Sequence, residues 1–302
     1  MDVSIIIVNY KTLPLIVNCI NSIIQKSTGI SYEIIVVDNN SSDNFSECLK
    51  EKFGSLVTCV QLAENIGFGR ANNEGVKIAK GRNILFLNPD TLLINNAIKI
   101  LSDYLDANPK VGACGGNLYN EDMSPVLSYS MLLPSIEWEL NLLSGSLLEK
   151  MRWGKNAQFN HSNLKREVGY ITGADMMVRY SVLDKVGCFS KHFFMYYEDS
   201  ELAYRIKRTG YLIVSVPDAR IQHLVGKSLG GKVFNPKRIL FVERGLSIFY
   251  LLHKNRTTRY VLMQLRLLRL NIKYYFVHKK KFSADLYKKC VRLIREEKIE
   301  NI

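Results

Sequence analysis

The sequence predicts an α/β protein. A doubly wound, mostly parallel sheet occupies residues 1–234, and a C-terminal basic amphipathic helical segment occupies 235–302. Three observations predict it. Strand-like and helix-like runs alternate with short connections, the pattern of a parallel sheet wound with helices. The strand-like runs are continuously apolar, as in a sheet covered on both faces. The charge is also divided: residues 1–234 carry 24 Lys+Arg against 23 Asp+Glu, and residues 235–302 carry 17 against 5, so nearly all of the net +13 lies in the last segment.

Taken in order, SIIIVN (4–9) is a β-rich run, and Leu15, Cys19, Ile20, Ile23 and Ile24 recur at helical spacing within 12–26. EIIVVDN (33–39) is a second strand, and the NNSSD that follows suits a turn and a helix N-cap. LVTCVQL (56–62) is a third strand, ENIGFGRANNEGVKIAKG (64–81) a glycine-bearing loop and a helix, and NILFLN (83–88) a fourth strand. Residues 117–168 are less regular. A strand-like stretch spans 169–180, a helix spans about 198–209 and closes at Gly210, and YLIVSVP (211–217) is another strand. Beyond Asn235-Pro236 the pattern is long and helical, with Val261, Leu265, Leu268 and Ile272 on one face and Arg259, Arg266, Arg269 and Lys273 on another. This divides the chain into a first half (1–116) and a second half (117–234) of one domain, followed by the basic helical segment (235–302).

The apolar fraction of 47% and charged fraction of 23% are those of a globular protein with a large core. Six scattered cysteines without C-x-x-C spacing read as reduced thiols of a cytoplasmic protein. MDVSIIIVNY reads as a strand and not as a signal peptide. The apolar stretches near the C-terminus are broken by Glu243-Arg244 and His253-Lys254, too soon for a bilayer span.

Chemistry concentrates at strand ends. In ILFLNPDT (84–91), Pro89 lacks an N–H and stops the ladder near Asn88, which projects Asp90 from the carboxyl end of the sheet, where open α/β folds bind ligands. A surface turn accounts for the same letters. Asn9 and Asp38 also end strands and could share that crevice; Asp38 could accept from a pyrimidine N–H or cap the next helix. The glycines at 67, 69 and 75 would let backbone approach a ligand, but their spacing does not fit the dinucleotide fingerprint. Glu198, Asp199 and Glu201 follow the aromatic run FFMYY. Acids in a helix's first turn are stabilised by its dipole, and burial against aromatics also tunes a carboxylate into a general base, with Asp199 the preferred one. His223 in RIQHLVGKS reads either as a surface or satisfied histidine or as a further ligand beside a carboxylate-bound cation.

Together, SIIIVNY, IIVVDNNSSD, ENIGFGRANNEG, LFLNPDT, YITGADMMVRY, VGCFSKHFFMYYEDSELAYRIKRTGY and PDARIQHLVGKS resemble the inverting family 2 glycosyltransferases of GT-A fold, in the rhamnosyltransferase-like branch of bacterial polysaccharide synthesis. The resemblance covers about residues 3–230. It implies that Asp90, with His223, holds Mg²⁺ or Mn²⁺ on the diphosphate, and that Asp199 is the catalytic base. It implies that Asp38 reads the base beside Val8, Asn9 and Tyr10, that Asn65, Gly67, Arg70, Asn73 and Asn88 line the nucleotide sugar, and that Gly173, Ala174 and Glu198 face the acceptor. Ser190-Lys191 departs from the branch's Asp-Glu, and Glu201 stands where aspartate is common.

The implied donor is a nucleotide-diphosphate sugar, dTDP-rhamnose ahead of a UDP-hexose, and the acceptor is a glycan or lipid-linked glycan. The basic segment has no nucleic-acid motif beside it. Tyr250, Tyr260, Tyr274, Tyr275 and Phe276 interleave with its cations, which favours an anionic membrane surface, worth about 1 kcal/mol per basic residue near the lipid. That would place the protein peripherally at the inner face of the bacterial plasma membrane. The rival readings are a nucleotidyltransferase, against which VNYKTLP lacks the glycines, and a non-catalytic binding protein on the same fold.

Overall fold

The computed structural model describes residues 1–41, 44–224, 235–277 and 282–296. β1 (Val3–Asn9), β2 (Tyr32–Asp38), β3 (Val57–Gln61) and β4 (Asn83–Leu87) pair in parallel in the order β3-β2-β1-β4. α1 (Leu13–Lys26), α2 (Phe45–Phe53) and α3 (Phe68–Val76) connect them. The register sets Asn9 beside Asp38 and Asp38 beside Gln61, so three polar side chains finish three adjacent strands together.

The sequence names no element between the fourth strand and residue 117. The structure has β5 (Thr91–Leu93), α4 (Ala97–Ala107) and β6 (Val111–Tyr119) there. The irregular stretch holds β7 (Tyr129–Ser130), α5 (Ile136–Leu143), α6 (Leu147–Trp153) and β8 (Arg166–Glu167). β9 (Tyr170–Ile171), β10 (Asp175–Arg179), α7 (Tyr180–Val186) and α8 (Glu198–Arg208) lead to β11 (Leu212–His223). β11 extends the strand expected at 211–217 on to His223, across an irregularity between Ser215 and Arg220 that accommodates Pro217. The full order is β3-β2-β1-β4-β10-β6-β11-β5, with β8 on β11. β10 runs against β4 and β6, so six of the nine strands share one direction and the sheet is mostly parallel, as the sequence predicts.

Both faces are covered. Ile5, Ile7, Leu85 and Leu87 meet α1 and α4 on one side, and Ile6, Val8, Ile84 and Phe86 meet residues of α3, α7 and α8 on the other. This is why the strand sequences are apolar without alternation.

α9 (Pro236–His253), α10 (Arg256–Ile272) and α11 (Ala284–Arg295) follow. Leu246 and Phe249 of α9 and Leu262 of α10 bury against Trp138 and Phe193, so this segment packs onto the body. Arg266, only 2% exposed, reaches the Glu243 carboxylate at 2.8 Å, and the buried Arg269 lies 3.3 Å from Glu139 and 3.4 Å from Glu243. Burial opposes charge on Glu243, but Arg266 and Arg269 outweigh it and hold its carboxyl below the usual range. This corrects one sequence expectation: the face bearing Arg266 and Arg269 is not available to lipid. It points inward because two acids from other helices meet it there. Among the described residues no helix is long and apolar enough to cross a membrane.

Candidate active site

β4 stops at Leu87, and Asn88-Pro89-Asp90 forms the turn into β5, with the Thr91 hydroxyl donating to the Asn88 carbonyl at 2.7 Å. The Asn88 N–H donates to the Ala174 carbonyl at 3.0 Å, which ties the turn to the start of β10. Asp90 is buried at the wall of a cavity of about 340 Å³ that Asn88 and Pro89 also line. His223 Nε2, at the end of β11, lies 3.3 Å from Asp90 Oδ1 and 3.4 Å from Asn88 Nδ2. That nitrogen can donate to the carboxylate or accept from the amide, but not both at once. A divalent cation facing a carboxylate, an imidazole lone pair and an amide oxygen would resolve the conflict, and Mg²⁺ and Mn²⁺ are commonly held by one or two side chains plus substrate phosphates. The donor set therefore fits such an ion, although among the described residues no three His, Cys, Asp or Glu side chains form a metal cluster.

Of the other residues expected at the donor, Val8, Tyr10, Asn65 and Gly67 line the cavity. Asn9 and Asp38 are fully buried and bond to each other at 2.7 Å. Asp38 also accepts from the Ser41 N–H and from Gln61, so both its oxygens are engaged by the protein. Asn73 pairs with the Phe189 backbone in both directions, and the half-buried Arg70 leaves its Nε without a partner; neither reaches the cavity wall. The sequence reading missed Asn39, whose amide donates to Asn65 Oδ1 and accepts from the Ile66 N–H and which lines the cavity. It follows Asp38 in the quoted IIVVDNN, so the signal was present. Lys237, Arg238 and Phe241 of α9 were missed as well and complete the wall.

Gly67 has φ +90, and a Cβ there would sit 2.4 Å from the Phe194 carbonyl, which also accepts from the Phe68 N–H at 2.9 Å. Glycine thus lets the donor loop close onto the aromatic run that precedes α8. In that run Tyr196 and Tyr197 both have positive φ, at 70 and 69, which costs non-glycine residues on the order of 1–3 kcal/mol each. α9 holds them there. The Tyr196 carbonyl fits against Gly245, where a Cβ would lie 2.5 Å away, while Phe241 stacks on Phe194 and Arg238 lies over the Tyr196 ring.

The strained turn aims the first residues of α8. Asp199 Oδ2 accepts from the Gly173 N–H at 3.1 Å, and Oδ1 accepts from the Ser200 N–H at 2.6 Å. Gly173 adjoins Ala174, which holds Asn88, and lies beside Phe68 of the cavity wall. Asp199 is therefore placed next to the cavity, behind Phe68 and Gly173. Glu198 is buried with Oε2 unpartnered, and Glu201 turns away to Arg205 and His253. Burial raises both Glu198 and Asp199, and Asp199 adds to the rise on Glu198; the amide bonds to Asp199 pull the other way. Asp199 therefore ionises first and Glu198 keeps its proton.

Glu198 gives a pH signature. Its raised pKa, about 8, means that the folded protein favours the neutral acid, a contribution present at low pH and lost as pH rises through that value. Between about pH 7 and about pH 9 the wild type should lose more Tm than Glu198→Gln, by on the order of 2–4 °C. Parallel curves in differential scanning fluorimetry would contradict the assignment.

A mostly parallel sheet with a cavity at the carboxyl ends of its strands and a carboxylate just past the fourth is the arrangement of an α/β protein of GT-A type. Residues 4–187 match the Glycosyl transferase family 2 model, and the chain belongs to that family. It is 26% identical over 211 residues to the N-acetylglucosaminyl-diphospho-decaprenol L-rhamnosyltransferase of Mycobacterium tuberculosis, across 65% of this chain and 68% of that one. In structure it is similar to S. aureus TarS 1-349 in complex with UDP-GlcNAc (TM-score 0.58, 17% identity, 97% of this chain and 79% of that chain). It is also similar to the mannosyltransferase PcManGT from Pyrobaculum calidifontis in complex with GDP-Man and Mn²⁺ (TM-score 0.58, 16% identity, 97% and 84%).

Proposed function

We propose that this family 2 glycosyltransferase moves a sugar, with inversion, from a nucleotide-diphosphate sugar to a hydroxyl of a glycan or lipid-linked glycan. dTDP-rhamnose is the favoured donor, a UDP-hexose the second choice, and the work is done at the cytoplasmic face of a membrane. One observation carries the reading: Gly173-Ala174 holds the Asp199 carboxylate with one amide and the Asn88-Pro89-Asp90 turn with the next carbonyl, which ties the proposed base to the carboxylate that would hold the cation. The rhamnosyltransferase relative supports the donor.

In this reading the nucleotide would lie along Val8, Tyr10, Asn39 and Asn65 and its diphosphate would face Asp90, Asn88 and His223, in a cavity that Lys237 and Arg238 also line. Asp90 and His223 would hold Mg²⁺ or Mn²⁺, which when bound would supply positive charge to the phosphates where the leaving group becomes negative. The acceptor oxygen attacks C1, its proton passes to Asp199, and the bond from C1 to the diphosphate oxygen breaks with both electrons going to that oxygen. One displacement needs no enzyme nucleophile.

Asp90→Ala is expected to lower turnover about 10²–10³-fold and to abolish the metal-dependent thermal stabilisation given by a nucleoside diphosphate. Thermal-shift titration with dTDP or UDP, with and without Mn²⁺, checks this. Unchanged stabilisation would remove Asp90 from the donor site, and failure of every nucleotide sugar to stabilise the wild type or be hydrolysed by it would remove the transferase reading.

A further inference from the structure

α10 is amphipathic the wrong way round for a surface helix. Its inward side carries Arg266 and Arg269 with Leu262 and Leu270, and the arginines are matched by Glu243 and Glu139. Its outward side carries Tyr260, Val261, Leu268 and Ile272, followed in the π-helical turn Lys273–Val277 by Tyr275 and Phe276. Tyr260 is 62% exposed, Leu268 50% and Phe276 84%. From Val261 the spacing is seven to Leu268, four to Ile272 and four to Phe276, which keeps them along one side of the helix. Gln264 is the polar residue among them.

We propose that this outward face of α10 seats the protein in the interfacial layer of an anionic lipid bilayer. The inference rests on the membrane placement proposed above and names the surface responsible, which is the apolar side and not the arginine side. Charge identifies the occupant. The segment 235–302 carries 17 Lys+Arg against 5 Asp+Glu, and setting aside the buried Arg266, Arg269 and Glu243 still leaves 15 against 4. Exposed Arg256 flanks the apolar face at its N-terminal end, and α10 itself contains no acid. A second copy would bring the same excess of positive charge against its own, whereas anionic headgroups complement it. Tyrosines at both ends and leucine and isoleucine between them also suit a helix lying in the plane of the interface, with apolar residues directed to the acyl chains and phenols at headgroup level.

The test uses the full chain and vesicles of phosphatidylcholine with or without phosphatidylglycerol. Wild type should float with the mixed vesicles at least tenfold more than with phosphatidylcholine alone. Leu268→Glu combined with Phe276→Glu should lose more than tenfold of that binding, while Ile78→Glu, an exposed apolar position on the catalytic body, keeps it. Thermal stability and hydrolysis of a soluble nucleotide sugar should be unchanged in all three, so failure of the membrane face and failure of the catalytic reading give different results. As a second readout, Phe276→Trp fluorescence should be quenched by brominated lipids. Full vesicle binding by the double variant, absence of quenching, or a wild-type dimer that the variant dissociates without any vesicle binding would each overturn the proposal.

Discussion

Asp199→Asn is expected to reduce transfer by about 10²–10⁴-fold while leaving donor affinity within about twofold. The amide has nearly the carboxylate's shape and can still accept from the Ser200 N–H, but its NH₂ would meet the Gly173 N–H, a local cost of about 1 kcal/mol. Neither the cavity wall nor the Asp90 cluster depends on the charge, so binding should survive. What disappears is the acceptor for the proton. The wild-type rate should also rise with pH through the raised pKa of Asp199, since burial disfavours the ionised form that acts as base, and the variant's residual rate should lack that limb. Isothermal titration of a donor analogue and single-turnover rates across pH check both parts. Normal transfer by the variant would remove the base assignment.

Glu243→Gln should destabilise the fold by about 3–5 kcal/mol. It leaves Arg266 and Arg269 buried with only Glu139 to compensate, and Glu139 is itself pushed up by burial against the pull of the two arginines. Because the Glu243 pKa is depressed in the folded state, its contribution is fully present above the ordinary glutamate value and is lost as pH falls through the folded one. Urea unfolding should therefore show the full deficit at neutral pH, closing as the wild type is acidified. A deficit that stayed constant into acid would mean that the packing of Glu243 matters and its charge does not.

Much of the sheet was legible because a strand covered on both faces is written as an unbroken apolar run; SIIIVN, EIIVVDN and NILFLN each give a strand within a residue or so. The reversed direction of β10 was not legible, since DMMVR reads identically whichever way it points and only its neighbours β4 and β6 decide. α5 and α6 were hidden because each is short and shares its burial with helices that arrive much later in the chain.

The site divides in the same way. Asn88 and Asp90 could be found because Pro89 marks where a strand must end, and Asp199 because acids behind FFMYY are chemically unusual. Asp38 could be located, but nothing local revealed that Asn9, Ser41 and Gln61 would satisfy both its oxygens. Lys237, Arg238 and Phe241 come from a segment whose charge drew notice as a block, with no sign of which residues would turn back to the cavity. On α10 the helical period correctly grouped the arginines but could not say which side faced in; that depended on Glu139 and on Glu243, a residue noticed only as an interruption in an apolar stretch.

The seat that Gly245 makes for the Tyr196 carbonyl bears on how far such enzymes are modular. The match to the family model ends at residue 187, although the resemblance itself runs on through the aromatic run and the acid pair; the helix that braces them lies beyond both. A chimaera joining another relative's first two hundred residues to this C-terminal part would set a foreign backbone bend against a groove cut for a different one. The smallest heritable unit thus reaches at least to α9, and swaps cut between the aromatic run and α9 would change the donor loop at the expense of how Asp199 is aimed.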